Sequence, residues 1–387
     1  MELIGNIILP DRILWGAKIV CAGGRIREIL PEVAAEHRTL PFIAPGYIDI
    51  HNHGALGRDY MDATEETFAV IAEYLAAHGV TSAQCTTVSA PVQQLTAFME
   101  AYRRYTASPR AGCRYAGIHI EGPYIAPAAK GAHSLDTLLT PAKDGYDWIL
   151  ENSDIIGEVT VAPELDGMPQ MIRALKTAGV VVSGGHDAAD PQDITAAAAA
   201  GMCHCTHIYC AMSTLHKTNG QRVHGLCEYA MTHDDITAEM IADNHHVPPL
   251  LAKMIYKAKG ADRVCLVSDA IAPAGLPESD QLYRLGTGKE CTKVRVEDGV
   301  AMVEDRSCYA GSIQAIDQMV RNLVNDANIP LVDAVRMATL TPAEVISIDD
   351  DCGSIAVGKR ADLCLLDQDL YVIKTVIAGK TVYERGV

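Results

Sequence analysis

Two histidines spaced two apart, His51 and His53, close the stretch Pro45-Gly-Tyr-Ile-Asp-Ile-His-Asn-His-Gly54. At a strand end, residues i and i+2 point the same way, so both imidazoles can be offered to one point. Neutral imidazole is a ligand for zinc and other borderline transition metals. Four later apolar runs each end in another group suited to metal or proton chemistry: Glu121, His186, His207 and Asp269. Glu121, His186 and His207 supply the three protein ligands of a catalytic zinc site, and Glu121 can also bridge to a second ion. Asp269, in Val267-Ser-Asp-Ala, stands where a carboxylate can take a proton from water and pass it to a leaving nitrogen. His133 follows Glu121 in the loop Lys130-Gly-Ala-His, which can cover the site and donate a hydrogen bond to a developing oxyanion. His119 alternates onto the face of Glu121 as a supporting group, whereas His204 has the opposite parity to His207 and is not counted as a ligand. Such a set suits metal-assisted hydrolysis of an amide or ester.

These groups need a frame that brings distant strand ends together. From Pro45 the chain alternates apolar strand, loop and amphipathic helix. The strands expected are 47–51, 80–88, 115–121, 156–162, 180–186, 203–209, 237–244 and 264–269. Helices are expected over 64–78, 168–178 and 191–200. Eight strand-helix repeats in about 300 residues predict a (β/α)₈ TIM barrel, whose functional groups gather at the C-terminal ends of its strands. The ligand candidates obey that rule. Residues 1–44 and 350–387 read as short strands and hairpins, so both termini are expected to form one small β-sandwich beside a hydrolase barrel of residues 45–349. Between the eighth strand and that tail the chain reads as helix-rich.

With 49% apolar residues the chain can bury a large core, and its net charge of −17 argues against a nucleic-acid or anionic membrane partner. No apolar run approaches the ~18 residues of a membrane span, and the N-terminus lacks a basic segment followed by a long apolar one, so a cytoplasmic protein is expected. The twelve cysteines form no Cys-x-x-Cys pair. They are read as buried reduced thiols, with Cys203 and Cys205 as packing residues.

Taken in order, Pro45-Gly-Tyr-Ile-Asp-Ile-His-Asn-His-Gly, His119-Ile-Glu-Gly-Pro-Tyr, Lys130-Gly-Ala-His, Gly185-His, Thr206-His-Ile-Tyr-Cys-Ala-Met, Ile241-Ala-Asp-Asn-His-His-Val, Ser268-Asp-Ala and Ala310-Gly-Ser resemble the N-acetylglucosamine-6-phosphate deacetylases of the amidohydrolase superfamily. The resemblance implies a metal-dependent barrel that removes acetate from an amino sugar's nitrogen. It implies that Glu121, His186 and His207 hold the principal metal, His51 and His53 a second, and that Asp269 is the acid and base. It assigns His133 and His246 to substrate, with Cys210 and Ala211 along the sugar. It also implies one or two divalent ions, zinc or iron first with manganese or cobalt as alternatives, and a homodimer.

Two segments depart from that pattern. Cys210 stands where the family has asparagine, and Ser213-Thr-Leu-His-Lys-Thr-Asn-Gly-Gln-Arg-Val-His-Gly225 replaces a run whose arginine binds the sugar phosphate. Arg222 or Lys217 is the substitute cation, or else a solvated loop charge. The substrates in view are therefore N-acetylglucosamine-6-phosphate, its galactosamine epimer, the unphosphorylated sugar and an N-acyl amino acid. Cyclic-ureide hydrolases carry a modified lysine on strand four, and Val159-Thr-Val-Ala-Pro-Glu164 has none. A non-catalytic binding relative would have lost ligands that are all present here.

Overall fold

The computed structural model describes residues 1–34 and 38–386. Eight parallel strands run in chain order around a nearly closed barrel: Tyr47–Asp49, Val80–Thr86, Arg114–Glu121, Ile156–Val161, Val181–Gly184, His204–Cys205, Thr237–Met240 and Val264–Leu266. The ladder does not continue from the eighth strand to the first. There the Asp269 N–H donates to the His51 carbonyl at 2.8 Å instead. Crossover helices include Glu65–Ala77, whose Thr64 side chain caps the Thr67 N–H, and Pro191–Ala200, whose Asp190 caps the N–H groups of Gln192 and Asp193.

Period-two alternation sorts the barrel strands into two environments. On strand three, Ile118 and Ile120 join the apolar layer beneath the helices, while His119 and Glu121 point inward. On strand four Val159 and Val161 join that layer, and Glu158 and Thr160 point inward; on strand seven Ala238 and Met240 flank an inward Glu239. The interior is thus polar. His119 lies 2.7 Å from Thr160 Oγ1, which lies 2.7 Å from Thr206 Oγ1.

The strands stop earlier than their apolar runs suggest. The sixth, expected over 203–209, has two residues, and the fifth ends at Gly184. The cause is the backbone, which turns left-handed at His186 (φ 48°), His207 (22°), Tyr209 (73°) and Asp269 (46°). Such conformations cost non-glycine residues on the order of 1–3 kcal/mol and persist where the surroundings fix them.

Both termini share one seven-stranded sheet, in which Glu2–Ile8, Ile13–Ala22, Arg25–Leu30 and Phe42–Pro45 are joined by Leu363–Leu366, Val372–Ile377 and Lys380–Glu384. Ile7, Ile43, Leu363 and Leu365 face the sheet's own core, whereas the alternate residues Ile8, Ala44, Cys364 and Leu366 pack on the barrel core. The sheet therefore seals one flank of the barrel.

The segment after strand eight corrects the expectation of a helix-rich stretch. Tyr283–Leu285, Thr292–Glu297 and Val300–Val303 form an antiparallel sheet before the helices Ile316–Asn325, Leu331–Met337 and Leu340–Val345. Cys203 is also a correction, being exposed, and Cys210, Cys291 and Cys308 are half-buried; Cys205 is a buried packing residue. Among the described residues no helix is long and apolar enough to cross a membrane.

Candidate active site

At the C-terminal mouth of the barrel, Glu121 is the centre of the site. Its Oε1 lies 3.0 Å from His186 Nε2 and 2.9 Å from His207 Nε2, and the two ring nitrogens are 3.1 Å apart. Two imidazole nitrogens and a carboxylate oxygen at such spacing converge on one point, as ligands do around a tetrahedral cation. His186 Nδ1 donates to the Ala129 carbonyl at 2.8 Å, which leaves the Nε2 lone pair facing that point.

The second oxygen of Glu121 faces the histidines of strand one. Oε2 is 3.3 Å from His53 Nε2 and 3.7 Å from His51 Nε2, and those two nitrogens are 3.3 Å apart. Asp269 Oδ1 completes this half, 3.1 Å from His53 Nε2 and 3.6 Å from His51 Nε2. Glu121 therefore presents one oxygen to each cluster, and the residues fit one or two divalent ions. Carboxylates also dominate the electrostatics: burial alone would lower both strand-one imidazoles, but Glu239 and Glu121 raise His51, while Asp269 and Glu121 raise His53 to about 9. Burial opposes ionisation of Glu121 too, and His51 and His133 outweigh it to hold the carboxyl well below its usual range. This is a mouth that attracts cations.

Around the centre, hydrogen bonds fix the orientation of two further histidines. His133 Nδ1 accepts the Ser89 N–H at 3.0 Å, so its proton sits on Nε2, which points at Glu121 Oε2 from 3.4 Å. Burial lowers the His133 pKa to about 4, so the ring is a neutral donor. His246 Nδ1 donates to Asp243 Oδ2 at 2.7 Å, and Asp243 Oδ1 accepts the N–H groups of His245 and His246. Burial works against that imidazolium, and Asp243 more than offsets it.

A cavity of about 640 Å³ opens over the site. His53, Glu121, His186, His207 and Asp269 form part of its lining, and His133, His246, Cys210 and Ala211 also face it. Burial holds the Cys210 thiol protonated, a neutral wall where the resembling family has an amide. The structure does not bring Lys217 and Arg222 to this cavity. They lie on an exposed hairpin, His216–Thr218 against Gln221–Val223, and are absent from the lining.

Two groups at the site escaped sequence reading. Glu239 Oε2 accepts from His51 Nδ1 at 2.8 Å and from the His207 N–H at 2.9 Å, tying one residue of each half together. Its signal was a carboxylate inside the apolar strand Thr237-Ala-Glu-Met. Arg306 lines the cavity from beyond strand eight, with no local motif to mark it. His204 is no part of the mouth. It is buried in the layer below, 3.9 Å from Glu158 Oε1 and 3.8 Å from Glu239 Oε1.

The amidohydrolase family model matches residues 42–382. N-acetylglucosamine-6-phosphate deacetylase of Bacillus subtilis is 33% identical over 345 residues, covering 88% of this chain and 84% of the relative. N-acetylgalactosamine-6-phosphate deacetylase of Escherichia coli O157:H7 is 34% identical over 361 residues, 93% of each chain. Among solved structures, the Thermotoga maritima N-acetylglucosamine-6-phosphate deacetylase superposes with a TM-score of 0.89 at 29% identity, covering 100% of both chains. A mutant of the Mycobacterium smegmatis enzyme in complex with N-acetyl-D-glucosamine-6-phosphate gives 0.88 at 29% identity, covering 99% of both.

Proposed function

The chain belongs to the amidohydrolase family and is a metal-dependent hydrolase of carbon–nitrogen bonds, and we propose that it removes acetate from the nitrogen of an N-acetyl amino sugar 6-phosphate. One observation carries the proposal: Glu121 lies between two imidazole pairs with Asp269 beside it, at the floor of a cavity large enough for a sugar.

Glu121, His186 and His207 would hold the principal ion and His51 and His53 a second. When bound, the metal polarises the amide oxygen and lowers the pKa of attacking water. Zinc or iron suits the imidazole and carboxylate donors, with manganese or cobalt as substitutes. Asp269 takes the proton of that water and returns it to the sugar nitrogen as the C–N bond breaks, releasing amine and acetate. His133 donates its Nε2–H to the carbonyl oxygen, where negative charge builds. His246, oriented by Asp243, and the wall at Cys210 and Ala211 position the sugar. N-acetylglucosamine-6-phosphate is the first candidate, and the likeness to an N-acetylgalactosamine-6-phosphate deacetylase over 93% of the chain favours its epimer as the second.

A phosphorylated sugar is an anion that does not cross a bilayer, which supports a cytoplasmic enzyme. The exposed apolar side chains Leu250 and Met254 on the helix Pro249–Lys259 support a homodimer. The test is acetate release by metal-reconstituted protein from N-acetylglucosamine-6-phosphate, N-acetylgalactosamine-6-phosphate and N-acetylglucosamine. Preference for a phosphorylated sugar is expected. Release from none of the three, or equal turnover of the plain sugar, refutes the substrate class.

A further inference from the structure

A phosphate dianion in this cavity needs a cation on the same chain or from outside it. Arg306 is the one lysine or arginine among the described residues lining the cavity. It sits at the tip of a hairpin that leaves strand Val300–Val303 and returns through Tyr309, which pairs with Met302. The tip is held by its own backbone, with the Arg306 N–H donating to the Val303 carbonyl at 2.9 Å and the Val303 N–H to the Cys308 carbonyl at 3.2 Å. Asp305 fixes the next residue by accepting from the N–H and hydroxyl of Ser307. Past Tyr309 the chain runs into Ser312, whose N–H donates to the Asp269 carbonyl at 2.8 Å. The tip is thus registered against the strand end that carries the acid and base.

The guanidinium is oriented but not used up. Its Nε and Nη2 donate to the two oxygens of Glu297 at 2.9 and 2.7 Å, while Nη1 makes no bond among the described residues. The side chain is 61% exposed. An ion pair so open to water is weak, so Glu297 aims the fork without competing strongly for it. Lys130, beside the cavity wall, is near enough for its charge to be felt at Asp305 and Cys308.

We infer that Arg306 reads the substrate's phosphate, contacting it from the hairpin beyond strand eight, a place in the cavity lining that Lys217 and Arg222 of the loop after strand six do not take. Arginine suits that task because its planar fork matches phosphate oxygens and keeps its charge at every relevant pH. The inference rests on the amino sugar phosphate proposed above.

Steady-state acetate release from N-acetylglucosamine-6-phosphate and from N-acetylglucosamine tests it, in metal-reconstituted wild type, Arg306→Ala, Arg306→Lys and Arg222→Ala. Loss of one charge-assisted contact is expected to raise KM for the phosphorylated sugar about 10- to 100-fold in Arg306→Ala. kcat and the kinetics of the plain sugar should stay within about threefold, since a phosphate contact acts on binding rather than on the reacting amide. Arg306→Lys should recover part of the loss. If the preference survives Arg306→Ala, or collapses in Arg222→Ala instead, the assignment is wrong while the proposed reaction stands. A wild type without preference for the phosphorylated sugar overturns the substrate class, and the assignment with it.

Discussion

Replacing Asp269 by asparagine should abolish proton transfer while leaving the site standing. Asparagine keeps the shape and, unlike most residues, tolerates the left-handed backbone at φ 46°, so the turn that ends strand eight should survive. The backbone ties at this position, donation to the His51 carbonyl and acceptance from the Ser312 N–H, do not involve the carboxylate. What is lost is the ionisable carboxyl 3.1 Å from His53 Nε2; a hydrogen bond to His53 and the charge of His51 hold it ionised against burial. General acid–base catalysis contributes about 10²- to 10⁴-fold, or about 3–5 kcal/mol of barrier. The assay is kcat for acetate release from the preferred sugar phosphate, with metal content measured on the same sample by plasma mass spectrometry. A kcat within tenfold of wild type at equal metal content would remove Asp269 from the mechanism.

Glu239→Gln should weaken metal binding about 10- to 100-fold, as loss of a ligand's hydrogen-bond partner does, because its carboxylate holds both His51 Nδ1 and the His207 backbone. Competition with a chromophoric chelator measures this, and unchanged affinity would make Glu239 a packing residue only. Glu158 is fully buried, its carboxylate oxygens make no hydrogen bond, and burial raises its pKa to about 8. A raised carboxyl binds its proton more tightly folded than unfolded, so stability falls as pH rises from about 4.5 to 8 and levels off above. Glu158→Gln, neutral at every pH, should remove that slope and gain on the order of a few kcal/mol over wild type at pH 8; parallel denaturation midpoints from pH 5 to 8 would show the carboxyl is already ionised.

The barrel was legible because parallel strands covered by helices are buried throughout and write themselves as apolar runs between turns. Helix 191–200 coincides with its expected bounds, and the helix expected over 64–78 lies within one residue of them at each end. Strand six was overread for a physical reason: residues 203–209 are apolar enough for a strand, but His207 and Tyr209 take left-handed φ and the ladder ends at Cys205. The parity that set His204 apart from His207 therefore does not extend along a strand at all. The sheet at 283–303 was legible and missed, since Thr292-Lys-Val-Arg-Val-Glu alternates strictly and Asp298-Gly299 is a hairpin turn.

The site divides along a different line. Residues at the ends of apolar runs announce themselves by type, which is why His51, His53, Glu121, His186, His207 and Asp269 could be named from spacing and are found within a few ångströms of one another. Groups that support them do not sit at strand ends, and their evidence is relational. Glu158 and Glu239 are single carboxyl groups inside apolar strands, a placement that costs several kcal/mol when such a group ionises with nothing to answer its charge. His119 has the same inward parity one strand before Glu158, and all three lie in the layer that carries the histidines of the mouth. Reading the inward positions of successive strands as one layer, rather than each strand end alone, turns those misplaced charges into a forecast. A barrel whose inward residues are histidine and glutamate rather than branched aliphatics must hold polar chemistry above them, because no apolar packing could make that core stable.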